Sequence, residues 1–379
     1  MDTNSNNHPV YRNHSIFIYL VAVLIAFLLG QQVVVEAASL FASNIWLYSI
    51  GSVLGGYIIG VLVYETGKLI FGKIAGYRLV KFNLFGLCFT KQKDKTKVGF
   101  EGFEGFGGKV LMAPKKENAN TALLLLGGTI FSVIFAVGII IGGYIFSNAL
   151  PNVEVVFYII LLVCVAILLV VILNVAPFLS DDIGDGFIFR LIHSKTVTKN
   201  DFHHLLRQQE ALLTGKGELS LYECNFYNPV NSQILLFNCY YHIDHSDDYS
   251  AKETIKKAFE LKEHLTEQDL SLFYSIHYYF VLSGEVTEKV TDEYWGLEKS
   301  IRKVIAGSNR FDTLKSALLV AAFVELSYDS YEYLTLQIEK LKNKYSPLRA
   351  EKEDELIEKS LNIIEKKRPE WFQPYENEE

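Results

Sequence analysis

Cysteine is scarce, and its spacing pairs nothing: Cys88, Cys164, Cys224 and Cys239 include no CxxC. Neither a disulfide framework nor a cysteine-ligated zinc site is indicated by that pattern, which fits water-facing parts on a reducing side. Positive charge is short as well. Lys and Arg number 36 against 43 Asp and Glu, a formal net charge of -7, with a pI near 5.8, which takes nucleic acid off the list of partners. A phosphate-binding loop is missing too. The glycine-rich run 99–108 leads into Lys109, but Phe103 stands where the first glycine of that motif is required, and Val110 where Ser or Thr must follow.

Lys and Arg are also absent from two short stretches, 36–43 and 147–152. These separate four apolar runs, at 16–35, 44–63, 122–146 and 153–173. A helix of about 20 residues crosses the roughly 30 Å of bilayer hydrocarbon, and each run reaches that length. One such run reads equally as a buried helix of a large globular protein; four together read as a multi-pass membrane protein. Between the second and third runs lie Lys73, Arg78, Lys81, Lys91, Lys93, Lys95, Lys97, Lys109, Lys115 and Lys116. Basic residues of short loops stay on the cytoplasmic side, so both termini are expected in the cytoplasm and the chain in the plasma membrane. The first run, weakly basic at its start and with no mature domain outside, reads as an uncleaved anchor rather than a secretion signal.

Three regions follow: an anchor span over 1–43, a membrane core over 44–192 and a water-facing domain over 193–379. Within the core, 76–113 alternates side-chain character and then turns through glycines, which predicts a membrane-associated β-hairpin. After Ile192 the apolar runs give way to mixed charged and aromatic sequence. Helical spacing at 251–265, 297–305, 313–327 and 351–366, with breaks at 228–229, 246–248, 283–284 and 346–347, predicts an all-α domain of helical hairpins without a tandem-repeat signature.

Two polar stretches at span ends carry the chemistry. The first is Val63-Tyr-Glu-Thr-Gly-Lys-Leu-Ile-Phe-Gly-Lys-Ile-Ala-Gly-Tyr-Arg78; the second is Leu173-Asn-Val-Ala-Pro-Phe-Leu-Ser-Asp-Asp-Ile-Gly-Asp-Gly186. In an HExxH helix the two histidines, four residues apart on one face, hold zinc, and the glutamate after the first reaches the metal-bound water as general base. Tyr64-Glu65-Thr66-Gly67-Lys68 resembles that motif with both histidines replaced. The string from Phe71 to Tyr77, and the downstream Asn-x-x-Pro followed by Asp-Gly, resemble the site-2 protease family of intramembrane zinc metalloproteases. The resemblance covers about 44–192.

It implies a general-base position at Glu65, metal-ligand positions at Tyr64, Lys68 and Asp185, and substrate-backbone positions at Asn174 and Pro177, with Gly186 opening the next helix. The insertion holding Asp181 and Asp182 leaves open which carboxylate takes the third ligand position. Chemistry then turns against the metal. An ammonium has no lone pair and repels a divalent ion, and a phenol ligates only once deprotonated from a pKa near 10. Lys68 is expected instead to sit near the place of zinc and bridge Glu65 and Asp185, because a charge inside a helix bundle is costly unless paired. His193, His203, His204, His242 and His245 read as packing or surface residues.

The expected function is therefore that of an inactive protease-like protein that needs no cofactor, holds a membrane-embedded peptide or protein client and recruits a cytoplasmic partner through 193–379. Two alternatives stand beside it. One is an active peptidase with an atypical zinc site or a metal-free Glu65–Lys68 pair; the other is a small-solute or ion transporter, for which the four runs offer no inverted repeat.

Overall fold

The computed structural model describes residues 15–41, 45–92, 95–100, 106–147, 153–177, 183–225, 227–284, 287–307, 310–343 and 345–372. The chain divides into two compact units, one ending at Glu210 and one beginning at Ala211.

The first unit is a helix bundle carrying a small sheet. Its helices are α1 (Ser15–Phe41), α2 (Ile45–Ile74), α3 (Thr121–Ser147), α4 (Val153–Val175), α5 (Asp185–His193) and most of α6 (Lys199–Thr214). Among the described residues three helices are long and apolar enough to cross a membrane, over Ser49–Ile74, Thr121–Ile145 and Val155–Val175. The apolar stretch described in α1, Ile16–Gln31, is shorter than a span. These helices are apolar on their outer faces too: Val133, Ile134, Val137 and Ile141 of α3 and Leu54 and Ile58 of α2 are exposed. In water each would forfeit about 25 cal/mol per Å² of apolar surface, whereas in hydrocarbon that face costs nothing.

Helix α2 lies against both α3 and α4, and α1 against α4. The α2–α3 crossing is close because glycine meets glycine. A Cβ at Gly67 would fall 2.3 Å from the Phe131 Cβ, and one at Gly127 would fall 2.5 Å from the Phe71 Cβ. Such small-residue contacts let backbones approach where no hydrophobic drive between helices exists.

The segment expected to form a hairpin is a four-stranded antiparallel sheet. Its strands are β1 (Tyr77–Leu84), β2 (Leu87–Gln92), β3 (Lys95–Phe100) and β4 (Gly108–Pro114), in the order β3-β2-β1-β4. A two-residue turn at Phe85 and Gly86, with φ of 48° and 86°, joins β1 to β2; paired positive φ values match the right-handed twist of the flanking strands. β4 then returns past this ribbon to pair with β1, from Tyr77↔Pro114 to Leu84↔Gly108. Alternation in a sequence reads the pleat but not which strand comes back to which, so the fourth strand was not foreseeable from pattern alone.

The second unit contains α7 (Ser232–Asp244), α8 (Asp248–Glu260), α9 (Glu267–Ser283), α10 (Glu288–Gly296), α11 (Lys299–Ile305), α12 (Leu314–Phe323), α13 (Tyr328–Lys342) and α14 (Ala350–Lys367). Among its described residues every regular element is helical. Side-chain caps start three of them: Asp247 accepts from the Ser250 N–H, Thr266 from Asp269 and Ser327 from Ser330. The continuous helix expected over 313–327 stops at Phe323. Leu326 adopts φ 53°, and the Ser327 cap then restarts the chain as α13.

Helix α12 is the centre of this unit, with Leu314 to Ala322 all buried. Charge is buried beside it. Lys315 Nζ lies 2.5 Å from Glu353 Oε2, and the Arg349 guanidinium lies 2.7 Å from Glu353 Oε1 and 3.0 Å from Asp244 Oδ1. Arg349 also stacks over the Tyr240 ring, 3.9 Å from its centroid.

Candidate functional site

Positions 64 and 68 are four residues apart on α2, so helical geometry puts both side chains on one face. That face meets the start of α5. Lys68 Nζ donates to Asp185 Oδ1 at 2.6 Å, and the Tyr64 hydroxyl donates to Asp185 Oδ2 at 3.0 Å. Both carboxylate oxygens of Asp185 are thus engaged by residues more than 110 positions away in the chain. Tyr64 is fully buried, and the Lys68 and Asp185 side chains are 15% and 6% exposed.

Asp185 reaches this place because α5 presses its first turn onto the end of α4. A Cβ at Gly186 would fall 1.9 Å from the Val175 carbonyl oxygen, so only glycine fits without moving backbone. Gly186 therefore acts through packing, and it fixes the direction of the Asp185 carboxylate beside it.

A second glycine accommodates the phenol. The Tyr64 ring lies across Gly128 of α3, where an added Cβ would come within 2.8 Å of two ring carbons. Overpacking of a filled interior typically costs about 1–3 kcal/mol. Gly128→Ala is expected to destabilise the protein by about that amount, and Tyr64→Ala to be less costly in the Gly128→Ala background than alone, because the two positions share one space. Thermal unfolding of the four members of this cycle in detergent checks both statements; strict additivity would separate the two residues.

Glu65 is not part of the ion pair. One residue along a helix rotates a side chain by about 100°, and this turn directs Glu65 toward β4 rather than toward Asp185. A Cβ at Gly108 would fall 2.8 Å from Glu65 Cγ and from Val61 Cγ1, and the Val110 N–H hydrogen-bonds the Glu65 carboxylate. The other carboxylate oxygen, Oε2, is buried without a hydrogen-bond partner. The expected bridge from Lys68 to both carboxylates is thus a single pair with Asp185.

The remaining expected positions separate from this cluster. The Asn174 side-chain amide donates to the Val170 carbonyl of its own helix at 2.9 Å, and Pro177 is exposed just beyond α4. Asp181 and Asp182 lie outside the described residues. His193 stacks on Phe189 in α5, with 6.4 Å between ring centroids.

The ligand set does not fit zinc. Four-coordinate zinc takes lone pairs from imidazole, thiolate or carboxylate, whereas here an ammonium and a phenol both donate hydrogens into the carboxylate that would be the third ligand. Among the described residues no group of three or more His, Cys, Asp and Glu is arranged to hold a metal ion.

One histidine does matter to the surroundings of the site. His203 on α6 is buried, with its Nε2 2.8 Å from the Tyr77 hydroxyl and 3.2 Å from Thr121 Oγ1, joining α6 to the starts of β1 and α3. Next to it Arg78 makes a two-point contact with Glu210, at 2.5 and 2.6 Å. The adjacent His203-His204 pair carried no sequence signal for this role, since the partners lie 82 and 126 residues away.

Burial, with Lys199 and Arg207 nearby, lowers the pKa of His203 from 6.5 to about 4. The unfolded chain therefore takes up a proton below pH 6.5 that the folded chain refuses until about pH 4, so stability falls as pH drops through that window. His203→Gln, which can keep a hydrogen bond but does not titrate, is expected to flatten this part of the stability–pH curve. Unfolding midpoints at pH 7, 5.5 and 4.5 measure the effect, and an unchanged slope would remove His203 as its source.

Comparison with protein-family models, curated proteins and solved structures finds no match to the chain.

Proposed function

We propose that this chain is a membrane-embedded, catalytically inactive protein resembling the site-2 proteases, which holds a peptide or protein client within the membrane and recruits a cytoplasmic partner through its helical domain. Four spans, α1 among them, with both termini in the cytoplasm of a plasma-membrane protein complete the reading. The single observation that carries it is the Lys68–Asp185 ion pair at 2.6 Å. A fixed cation fills the role that a metal would have, so the carboxylate is satisfied and no activated water is generated.

Client binding is supported by the edge of the sheet. Among the described strands β4 pairs with β1 alone; it begins at Gly108 against Val61 and Glu65 of α2, and its Val110 N–H is taken by the Glu65 carboxylate. An unpaired strand edge offers a row of N–H and C=O groups to an incoming extended segment, which gives affinity without requiring a particular sequence. Asn174 would serve the same segment only after release from the Val170 carbonyl. The unpartnered Oε2 of Glu65 is the one feature that favours the metal-free peptidase, because an unpaired carboxylate is a competent base.

The test is reconstitution of the full chain in liposomes with a single-span peptide whose helix contains a glycine-rich, easily unwound stretch. Photo-cross-linking from a benzoylphenylalanine at Leu111 is expected to capture the peptide, while cleavage stays at the level of Glu65→Gln. Glu65-dependent cleavage would replace the inactive reading with the peptidase one.

A further inference from the structure

The sheet of the first unit is wider than the helix it rests on. Residues directly opposite each other on neighbouring strands share a face, so the registers define rows across all four strands. One row is Gly108, Leu84, Leu87 and Phe100; the next on the same face is Val110, Phe82, Phe89 and Val98. At the β4 end these rows lie on α2. A Cβ at Gly108 would fall 2.8 Å from Val61 Cγ1, Val110 is buried, and Leu84 packs against the cluster of Val61, Tyr64 and Val170. At the β3 end the same apolar face comes into the open: Leu87, Val98 and Phe100 are 44%, 57% and 74% exposed.

The sheet stands alongside α2 rather than beyond its end. β1 starts at Tyr77, just after α2 finishes at Ile74, and by Leu84 it has returned to Val61 and Tyr64, inside the apolar stretch Ser49–Ile74. Leu87 and Phe100, paired with each other beside Leu84, share that depth. From Phe100 the ribbon of β2 and β3 climbs back toward the end of α2. At about 3.4 Å per residue, Lys97 and Lys95 stand roughly 10 and 17 Å higher than Phe100, and Lys91, opposite Thr96, lies between them. All three lysines are exposed. An apolar surface at the depth of the span, with ammonium groups nearer the water, follows the layering of an acidic phospholipid, acyl chain below and phosphate above. Lysines on an edge strand also obstruct pairing with another strand, which makes β3 a poor edge for an extended peptide.

We propose that the β2–β3 ribbon is a binding surface for anionic phospholipid: Leu87, Val98 and Phe100 lie against acyl chains, and Lys91, Lys95 and Lys97 hold the acidic headgroups above them. This surface rests on the reading of α2, α3 and α4 as membrane spans, and on neither the client nor the Lys68 pair. A lysine beside an anionic headgroup layer contributes about a fivefold preference. Three lysines on one ribbon therefore select an acidic over a zwitterionic phospholipid by at least tenfold.

The apolar half is tested in nanodiscs of phosphatidylcholine and phosphatidylglycerol, where the full chain carrying a benzoylphenylalanine at Phe100 is expected to form a covalent lipid adduct on irradiation, read by mass spectrometry. The charged half is tested in detergent by titration with fluorescent phosphatidylglycerol and fluorescent phosphatidylcholine. The parent is expected to prefer the first at least tenfold, Lys91→Gln/Lys95→Gln/Lys97→Gln to lose at least fivefold of that preference, and Lys91→Arg/Lys95→Arg/Lys97→Arg to keep it. Alkaline extraction of membranes containing the parent chain examines the spans separately. A chain washed out by alkali would refute the membrane reading and the lipid surface with it. An embedded chain with no lipid adduct at Phe100, an adduct to another protein chain in its place, or a preference unchanged in the glutamine variant would overturn the lipid surface alone.

Discussion

Lys68→Ala is expected to lower stability by about 3–5 kcal/mol, the usual cost of removing one partner from a buried ion pair. The alanine leaves the Asp185 carboxylate 6% exposed with the Tyr64 hydroxyl as its remaining donor. Glu65 cannot compensate, because its carboxyl group is turned toward Gly108 and Val110 of β4 and offers Asp185 no positive charge. Removing the stranded charge reverses most of the loss. Lys68→Ala/Asp185→Asn is expected to recover to within about 1–2 kcal/mol of the parent, since a neutral amide is far cheaper to bury than an unpaired carboxylate. Thermal unfolding in detergent distinguishes the outcomes: a single variant as stable as the parent, or a double variant no better than the single, would mean that the pair contributes nothing.

The second large effect lies in the other unit. Glu353 is fully buried and faces two fully buried cations, Lys315 at 2.5 Å and Arg349 at 2.7 Å. The Arg349 contact is close but poorly aligned, since neither its NH1 nor Glu353 Oε1 completes a hydrogen bond. Glu353→Gln should therefore be costly chiefly through Lys315, whose buried ammonium exchanges a carboxylate for a neutral amide oxygen beside the Asp312 carbonyl. Arg349 retains Asp244. A loss of about 3–5 kcal/mol is expected. Lys315→Met/Glu353→Leu, which removes both charges and keeps apolar volume, is expected to be more stable than Glu353→Gln alone. Denaturant unfolding followed by tryptophan fluorescence measures the difference, and a Glu353→Gln midpoint equal to that of the parent would contradict it.

Much of the site was legible in the sequence because it follows from short-range geometry. Tyr64 and Lys68 share a helix face at a spacing of four, and a buried lysine demands an anion. Which anion came from the resemblance, with Asp181 and Asp182 left open beside Asp185, because a partner 117 residues away is set by the fold. What the sequence hid depends on contacts between distant segments. Glu65 is one helix position from Tyr64, yet its neighbour is Gly108, and that follows from β4 pairing with β1 across the sheet. A side chain at a helix end, such as Asn174, can bond its own preceding turn, and spacing alone cannot say that it does.

The fold divides along the same line. Apolar runs announced the long helices directly, although the described apolar part of α1 is shorter than the run suggested. In the second unit helical periodicity was clear, but 313–327 carried no proline or glycine to mark the break that Leu326 and Ser327 introduce. The His203 contacts were invisible for a related reason: it is one polar residue on an otherwise ordinary helix, given meaning only by the segments that fold against it.

The most direct measurement of the central claim is the zinc content of the purified full chain, taken beside Tyr64→His/Lys68→His after identical purification. An ammonium in the metal's place predicts no stoichiometric zinc in the parent and a gain of zinc in the double variant, where two imidazoles join Asp185. One zinc per parent chain, lost on Asp185→Asn, would contradict it.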